Sequence, residues 1–233
     1  MKQTRKDEKI SGKITNQTYS EILFDGLIVR NARISKTRFS NIHFKNSYLG
    51  QSSEYVDCEF KNCKFFGKYS TLGFSTKYKN CNFLDCEFIG TTLFEAALFS
   101  NCIFSGKIKN AIIKDRKQKL FKKIVVFDHC DLSNIVFDNL SLYGKFGFEN
   151  CVLPSKGIIK YKNENDSLID RAAEICSKID NSSKTESEVI FMKKLKSGQN
   201  PIILDKLFLD SFFPTDDSRR IFDTIVTGYE IEE

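Results

Sequence analysis

Tryptophan is absent from this 233-residue sequence, and there are only 3 prolines and 2 histidines. Those histidines, His43 and His129, each read as a solvated surface residue in preference to a general base. No CxxC pair occurs, nor do the HExxH, GxSxG, GxGxxG or phosphate-loop patterns that would point to a metalloprotease, an esterase or a nucleotide enzyme. Carboxylates are scattered through the first two thirds of the chain without an obvious acid/base pair. No catalytic, cofactor-binding or metal-ligating residue is therefore assigned, and an enzyme is not expected. Runs of about 18 apolar residues are also missing, which argues against a membrane-spanning helix. The opening MKQTRKDEKISGK is charged with no apolar stretch behind it, unlike a secretory signal. A cytoplasmic location is the expectation, and with it a reduced state for the 8 cysteines.

Phenylalanine, at 22 residues, is the conspicuous surplus. The net charge of +6 is uneven: residues 1–155 carry 24 Lys and Arg against 15 Asp and Glu (+9), and residues 156–233 carry 12 against 15 (−3). A modest basic excess over a large surface is weak grounds for a nucleic-acid partner.

Residues 21–50 show the organising pattern: EILFD GLIVR NARIS KTRFS NIHFK NSYLG. One column of this alignment holds Phe24, Val29, Ile34, Phe39, Phe44 and Leu49. Two places earlier stand Ile22, Leu27, Ala32, Thr37, Ile42 and Ser47. Neither the 3.6-residue helical period nor the 2-residue strand period accounts for this. A period of five with two inward places fits a coil whose stacked turns bury the large and the small column and satisfy each other's backbone groups. The pattern continues through Cys58–Phe60, Cys63–Phe65, Cys81–Phe83, Cys86–Phe88, Cys102–Phe104, Cys130–Leu132, Ile135–Phe137 and Cys151–Leu153. It slips by one residue near Gln51–Tyr55 and is irregular over Gly67–Tyr78.

Asp57-Cys58-Glu59-Phe60, Asn62-Cys63-Lys64-Phe65, Asn80-Cys81-Asn82-Phe83, Asp85-Cys86-Glu87-Phe88, Asn101-Cys102-Ile103-Phe104 and Asn150-Cys151-Val152-Leu153 repeat one motif. In these residues the chain resembles the bacterial-type pentapeptide-repeat family over roughly residues 14–153. The resemblance implies a mainly β protein, a right-handed four-sided parallel β-helix. It does not specify a function, because the family serves many roles. Some members resemble duplex DNA in shape and charge and bind type II topoisomerases such as DNA gyrase, protecting cells against quinolones. The +9 balance of residues 1–155 counts against such mimicry here.

Seven of the cysteines fall in the small inward column and read as buried apolar fillers. If the register holds through the irregular stretch, Cys63, Cys81 and Cys102 would stack on one face. Residues 1–13 read as a polar lead-in. A basic insert at residues 114–123, with Lys114, Arg116, Lys117, Lys119, Leu120, Phe121, Lys122 and Lys123, interrupts the repeat and is a candidate docking element. Beyond Pro154 the period ends, and residues 154–233 read as a small α-helical capping or association module. One helical face carries Leu168, Ala172, Ile175, Cys176 and Ile179. A second helix follows the Ser183/Glu186 capping pattern. A third, started by Pro201, runs through Ile202, Leu204, Leu207, Phe208 and Phe212, and a fourth lies around residues 217–227. The third is apolar on too many sides for a lone surface helix. Its cover is the solenoid end, the other helices, or another chain.

Three functions follow. The favoured one is a non-catalytic protein-binding scaffold or adaptor, with Leu204, Leu207, Phe208 and Phe212 and the basic insert as partner-binding candidates and homo-oligomerisation through the C-terminal helices as one mode. The others are a topoisomerase-interacting protein and a nucleic-acid binder using Arg30, Arg33, Lys36, Arg38, Lys45 and the insert. No membrane partner is expected.

Overall fold

The structure, a computed structural model, describes residues 2–90, 93–94, 97–114, 126–143, 150–178, 202–206, 209 and 216–231. Short parallel strands pair in register across successive turns of chain. Tyr19 pairs with Phe39 and Phe24 with Phe44, each 20 residues on, which is four five-residue repeats per turn. The chain is mainly β, a parallel β-solenoid with a short C-terminal helical part.

The large column fills the axis. Phe24, Phe39, Phe44, Phe60, Phe83 and Phe88 are all buried, at 5% exposure or less. Because equivalent residues sit directly above one another, their rings form ladders. Tyr19, Phe39, Phe60, Phe83 and Phe104 stack at centroid spacings of 5.4, 4.7, 4.7 and 4.7 Å. Phe24, Phe44, Phe65 and Phe88 form a second stack, and Tyr55, Tyr78, Phe99 and Phe127 a third. Burying each ring contributes about 1.5–3 kcal/mol, and each well-placed ring pair about 0.5–1.5 kcal/mol more. The buried tyrosine hydroxyls have partners within their own turn: Tyr55 donates to the Leu49 carbonyl at 2.8 Å and Tyr78 to that of Leu72 at 2.7 Å.

The small column has a polar task. Thr37 and Ser47 each donate a hydroxyl to the carbonyl two residues back, at 3.0 Å. Cys58, Cys63, Cys81, Cys86, Cys102 and Cys130 put a thiol in the same place and also reach a carbonyl of the preceding turn. Just before each small residue lies a corner, and corner residues take positive φ at five-residue steps: Asn16, Glu21, Gly26, Asn31, Lys36, Asn41 and Asn46. This left-handed region is strained for most side chains but tolerated by Asn, Asp and Gly. That is the physical reason an Asn or Asp so often precedes the small residue.

Register across the irregular stretches differs from the expected cysteine stack. Phe60 pairs with Phe83 and Phe65 with Phe88, an offset of 23 residues instead of 20. The three additional residues bring Cys63 onto Cys86 and leave Cys58 on Cys81. The long ladder is therefore Cys58, Cys81, Cys102, Cys130 and Cys151, with Cys63 in a second one. Residues 1–13 also differ from a lead-in: Gln3–Lys6 and Lys9–Thr15 are strands that pair with the next turn. Their polarity suits strands at the edge of a sheet, where charge, lysine above all, deters pairing with foreign strands.

After residue 154 the chain does not become purely helical. Ile202–Asp205, expected to open a helix, is a strand pairing antiparallel with Ile158–Tyr161. All four of its residues are buried. Alternation sends Ile158, Ile203 and Asp205 toward the last turns of the solenoid, and Tyr161, Ile202 and Leu204 toward the helices. A strand covered on both faces shows a continuous apolar run, which periodicity cannot distinguish from a buried helix. Helix α1 (Ser167–Ser177) starts where Asn163 Oδ1 accepts the Leu168 N–H at 3.1 Å. It presents Leu168 and Ala172 to Phe222, Ile225 and Val226 of helix α2 (Asp216–Val226). Arg171 joins the pair by donating to the α2 carbonyl of Thr224 at 2.9 Å and to the carbonyl of Thr227, just beyond α2, at 3.1 Å. The second expected helix, residues 183–197, lies outside the described residues. No helix among those described is long and apolar enough to cross a membrane.

Candidate interaction surfaces

With both inward columns used for packing, anything the solenoid does with a partner must be done by its outward places and its ends. The outward charges are arranged by the same stacking. Lys45 pairs with Asp25 at 2.9 Å, Lys64 with Glu87 at 2.7 Å, and Lys107 with Asp138 at 2.8 Å, each one turn away. Arg33 and Lys79 both approach Glu54, at 3.5 and 3.1 Å. Hydrogen bonds from Lys45 and Lys107 hold the Asp25 and Asp138 carboxyls below their ordinary range. Such surface pairs contribute about 0–1 kcal/mol each, so their main effect is on the field. In the ladder Lys13, Arg33, Glu54, Lys77 the third place reverses the sign. Carboxylates likewise interrupt the ladders that hold Lys45 and Lys64. The basic excess of the sequence is thus alternated along these ladders and not drawn into a stripe.

His43 sits outward beside Phe66, with ring centroids 6.1 Å apart. Burial, then the charges of Lys2 and Lys64, lower its pKa below 6.5. His129, at a corner with φ 51°, meets the Asp128 carboxylate at 2.8 Å and is exposed. The grooves at the corners, one between Asn31–Arg33 and Ser52–Glu54, another between Lys36 and Asn80, are polar and open to solvent.

The cysteine ladders form lines of thiols bonded to one another. Hydrogen bonding between neighbouring thiols, with burial, pushes Cys81 and Cys102 up to about 12 and Cys151 higher still. Cys130 is lowered because the thiols of both Cys102 and Cys151 bond to it. Sulfurs in a line do not make the tetrahedral cage of a structural zinc site. No group of three or more His, Cys, Asp or Glu among the described residues could hold a metal ion.

Of the residues nominated from sequence, Leu204 is buried at 8% exposure among the residues packed on the helices, so its side chain is engaged within the chain. Lys114 ends the strand Ile112–Lys114, whose backbone pairs with Ser141–Tyr143. Arg116, Lys117, Lys119, Leu120, Phe121, Lys122 and Lys123, like Leu207, Phe208 and Phe212, lie outside the described residues. Sequence reasoning missed a different set. Ile103, Val136 and Val152 occupy outward places yet are apolar and 43%, 56% and 58% exposed. Ile103 and Val152 flank Asp131 on one ladder, and Val136 stands five residues beyond Asp131 on the next wall. The signal was available as β-branched residues in a column otherwise holding Arg38, Glu59 and Asn82. Tyr69 and Phe74, in the irregular stretch, are exposed too, at 68% and 38%.

No family model and no curated protein matches this chain. Among solved structures, a trypsin-treated, singly substituted form of QnrB1, a plasmid-mediated fluoroquinolone resistance protein, is similar at 13% identity. The match covers 61% of this chain and 92% of that one, with a TM-score of 0.20. HetL, a pentapeptide-repeat protein involved in heterocyst differentiation regulation from the cyanobacterium Nostoc sp. strain PCC 7120, is 9% identical over 66% of this chain and 88% of that one, with a TM-score of 0.20. Full-length QnrB1 is 16% identical over 60% and 92%, with a TM-score of 0.15. The five-residue register, the in-register parallel ladders and the asparagine corners make this chain a parallel β-solenoid consistent with the pentapeptide-repeat family.

Proposed function

We propose that this chain is a non-catalytic, protein-binding scaffold, and that its last solenoid turns carry the docking surface. The observation behind this reading is the exposure of Ile103, Val136 and Val152 on two adjoining walls, where their strand neighbours are Asp131 and Lys107. Flat, rigid walls with apolar centres and charged surroundings have the anatomy of a protein interface, and the filled core makes binding cheap in conformational entropy. A nucleic-acid partner fits less well, because carboxylates alternate with the cations along the ladders. The basic insert, which lies in sequence between Ile112–Lys114 and Phe127–Asp128, and the residue set Leu207, Phe208 and Phe212 belong to the same proposal as additional contacts.

The test is capture of partners by the full chain from nuclease-treated host lysate at moderate salt, alongside the triple variant Ile103→Lys, Val136→Lys, Val152→Lys. A protein retained by the native chain and lost from the folded variant supports the reading. Retention that needs nucleic acid, or that the variant keeps, overturns it.

A further inference from the structure

Six of the seven inward-column cysteines, Cys58, Cys63, Cys81, Cys86, Cys102 and Cys130, are sealed in the core at 0–1% exposure. The terminal rung of the long ladder is different: Cys151 is half-buried, and Cys130 lies directly beneath it. The Cys130 N–H meets the Cys151 sulfur at 3.4 Å, and the Val152 N–H donates to the Cys130 carbonyl at 3.0 Å. Asp131 and Val152 are parallel bridge partners, so the two cysteines occupy equivalent places on adjacent strands. Strand neighbours are about 4.8 Å apart, within the ~4.4–6.8 Å range that a disulfide spans between Cα atoms. Both are free thiols.

We propose that Cys130 and Cys151 form a peroxide-responsive thiol pair that closes to a disulfide across the last solenoid rung. The thiol of Cys151, the half-buried member of the pair, gives up its proton to the departing oxygen as its sulfur attacks the near oxygen of hydrogen peroxide, so no free thiolate is needed. The O–O bond breaks, a sulfenic acid forms, and the transferred proton leaves with the hydroxide as water. The Cys130 sulfur then displaces the sulfenic hydroxyl, which takes the Cys130 proton and leaves as a second water. Two thiols lose two electrons and two protons, and one peroxide becomes two waters. The linkage ties Cys151, three residues before Pro154, to the turn below, at the point where the chain leaves the solenoid for its C-terminal cap. The cysteines deeper in the ladder are shielded from the oxidant by the rung above.

The full chain, folded and reduced, is exposed to hydrogen peroxide. It is then alkylated, digested without reductant and read by mass spectrometry, alongside Cys151→Ser, Cys102→Ser and Cys176→Ser. Serine already serves in the small column at Ser47 and Ser53, so Cys151→Ser retains the local donor, and a thermal melt checks its fold. The expected result is one peptide pair joining Cys130 to Cys151, short of two hydrogens and reversed by thiol reductant. It is absent in Cys151→Ser and present in the other two variants. The proposal fails if Cys151 is found as a sulfinic or sulfonic acid with Cys130 still alkylated. It also fails if the link joins Cys102 to Cys130, involves Cys176 or a second chain, or does not form in the folded protein.

Discussion

The carboxylate of Asp205 accepts the backbone N–H of Asn139 at 2.6 Å and that of Leu140 at 3.3 Å, across 66 and 65 residues of sequence. In earlier turns the N–H at the equivalent corner donates to a carbonyl of the next turn, as Gly90 does to Lys109 and Asn110 to Asp138. Among the described residues, no further turn offers Asn139 such a carbonyl. Asp205, buried at 2% exposure, supplies the missing acceptor while Ile203 of the same strand joins the solenoid core. The C-terminal strand pair is thus a plug whose carboxylate imitates one more rung.

Removing that acceptor leaves buried donors unsatisfied, at about 1–3 kcal/mol. Asp205→Ala is expected to lower unfolding stability by that amount in urea titrations, and Asp205→Asn by less, since its amide oxygen still accepts. Unchanged stability in Asp205→Ala would remove the capping role.

The ring ladders predict a steep dependence on depth. Phe83, fully buried and stacked at 4.7 Å on both Phe60 and Phe104, is expected to cost about 3–5 kcal/mol on truncation to Ala. Phe74→Ala, at a side chain 38% exposed, is expected to stay within about 0.5 kcal/mol. Chemical denaturation of the two variants reads the contrast directly.

Corner geometry predicts an inverted preference for side chains. Asn62 has φ 52°. A β-branched residue there meets the left-handed penalty of roughly 1–2 kcal/mol, whereas Gly adopts the conformation without strain. Asn62→Val should therefore lower the melting temperature clearly and Asn62→Gly only slightly. Equal losses would indicate that the corner is set by something other than backbone conformation.

The His43 pKa is lowered below 6.5 by burial and nearby lysines, so the unfolded chain binds the proton more readily than the folded one. Stability from this group is fully present above pH 6.5 and falls as the pH drops through the lowered folded value. His43→Gln should remove this part of the pH dependence. Asp25 and Asp138 act in the same sense at lower pH: their contribution is present above the ordinary carboxyl value of 3.8 and is lost as the pH falls through their depressed values. Melting temperatures of the native chain and the variant between pH 8 and pH 3, on the order of one reading per half unit, separate the two windows.

Local chemistry determined the repeating part. Each five-residue unit buries the same two places and turns at the same corner, so Phe24, Phe39, Phe44 and the asparagines before the cysteines were legible one repeat at a time. What lies between repeats was decided only in three dimensions. Three additional residues within one turn moved Cys63 from the expected line onto Cys86, since register is a sum over the whole turn and no single motif contains it. The run from Ile202 became a strand because it is covered on both faces, by the solenoid end and by the helices, and a segment's own sequence does not state how many neighbours it will have. Asp205 is the clearest case: its partner is a backbone N–H 66 residues away, and a bare carboxylate in an apolar run acquires its meaning only when the open end of the solenoid arrives beneath it.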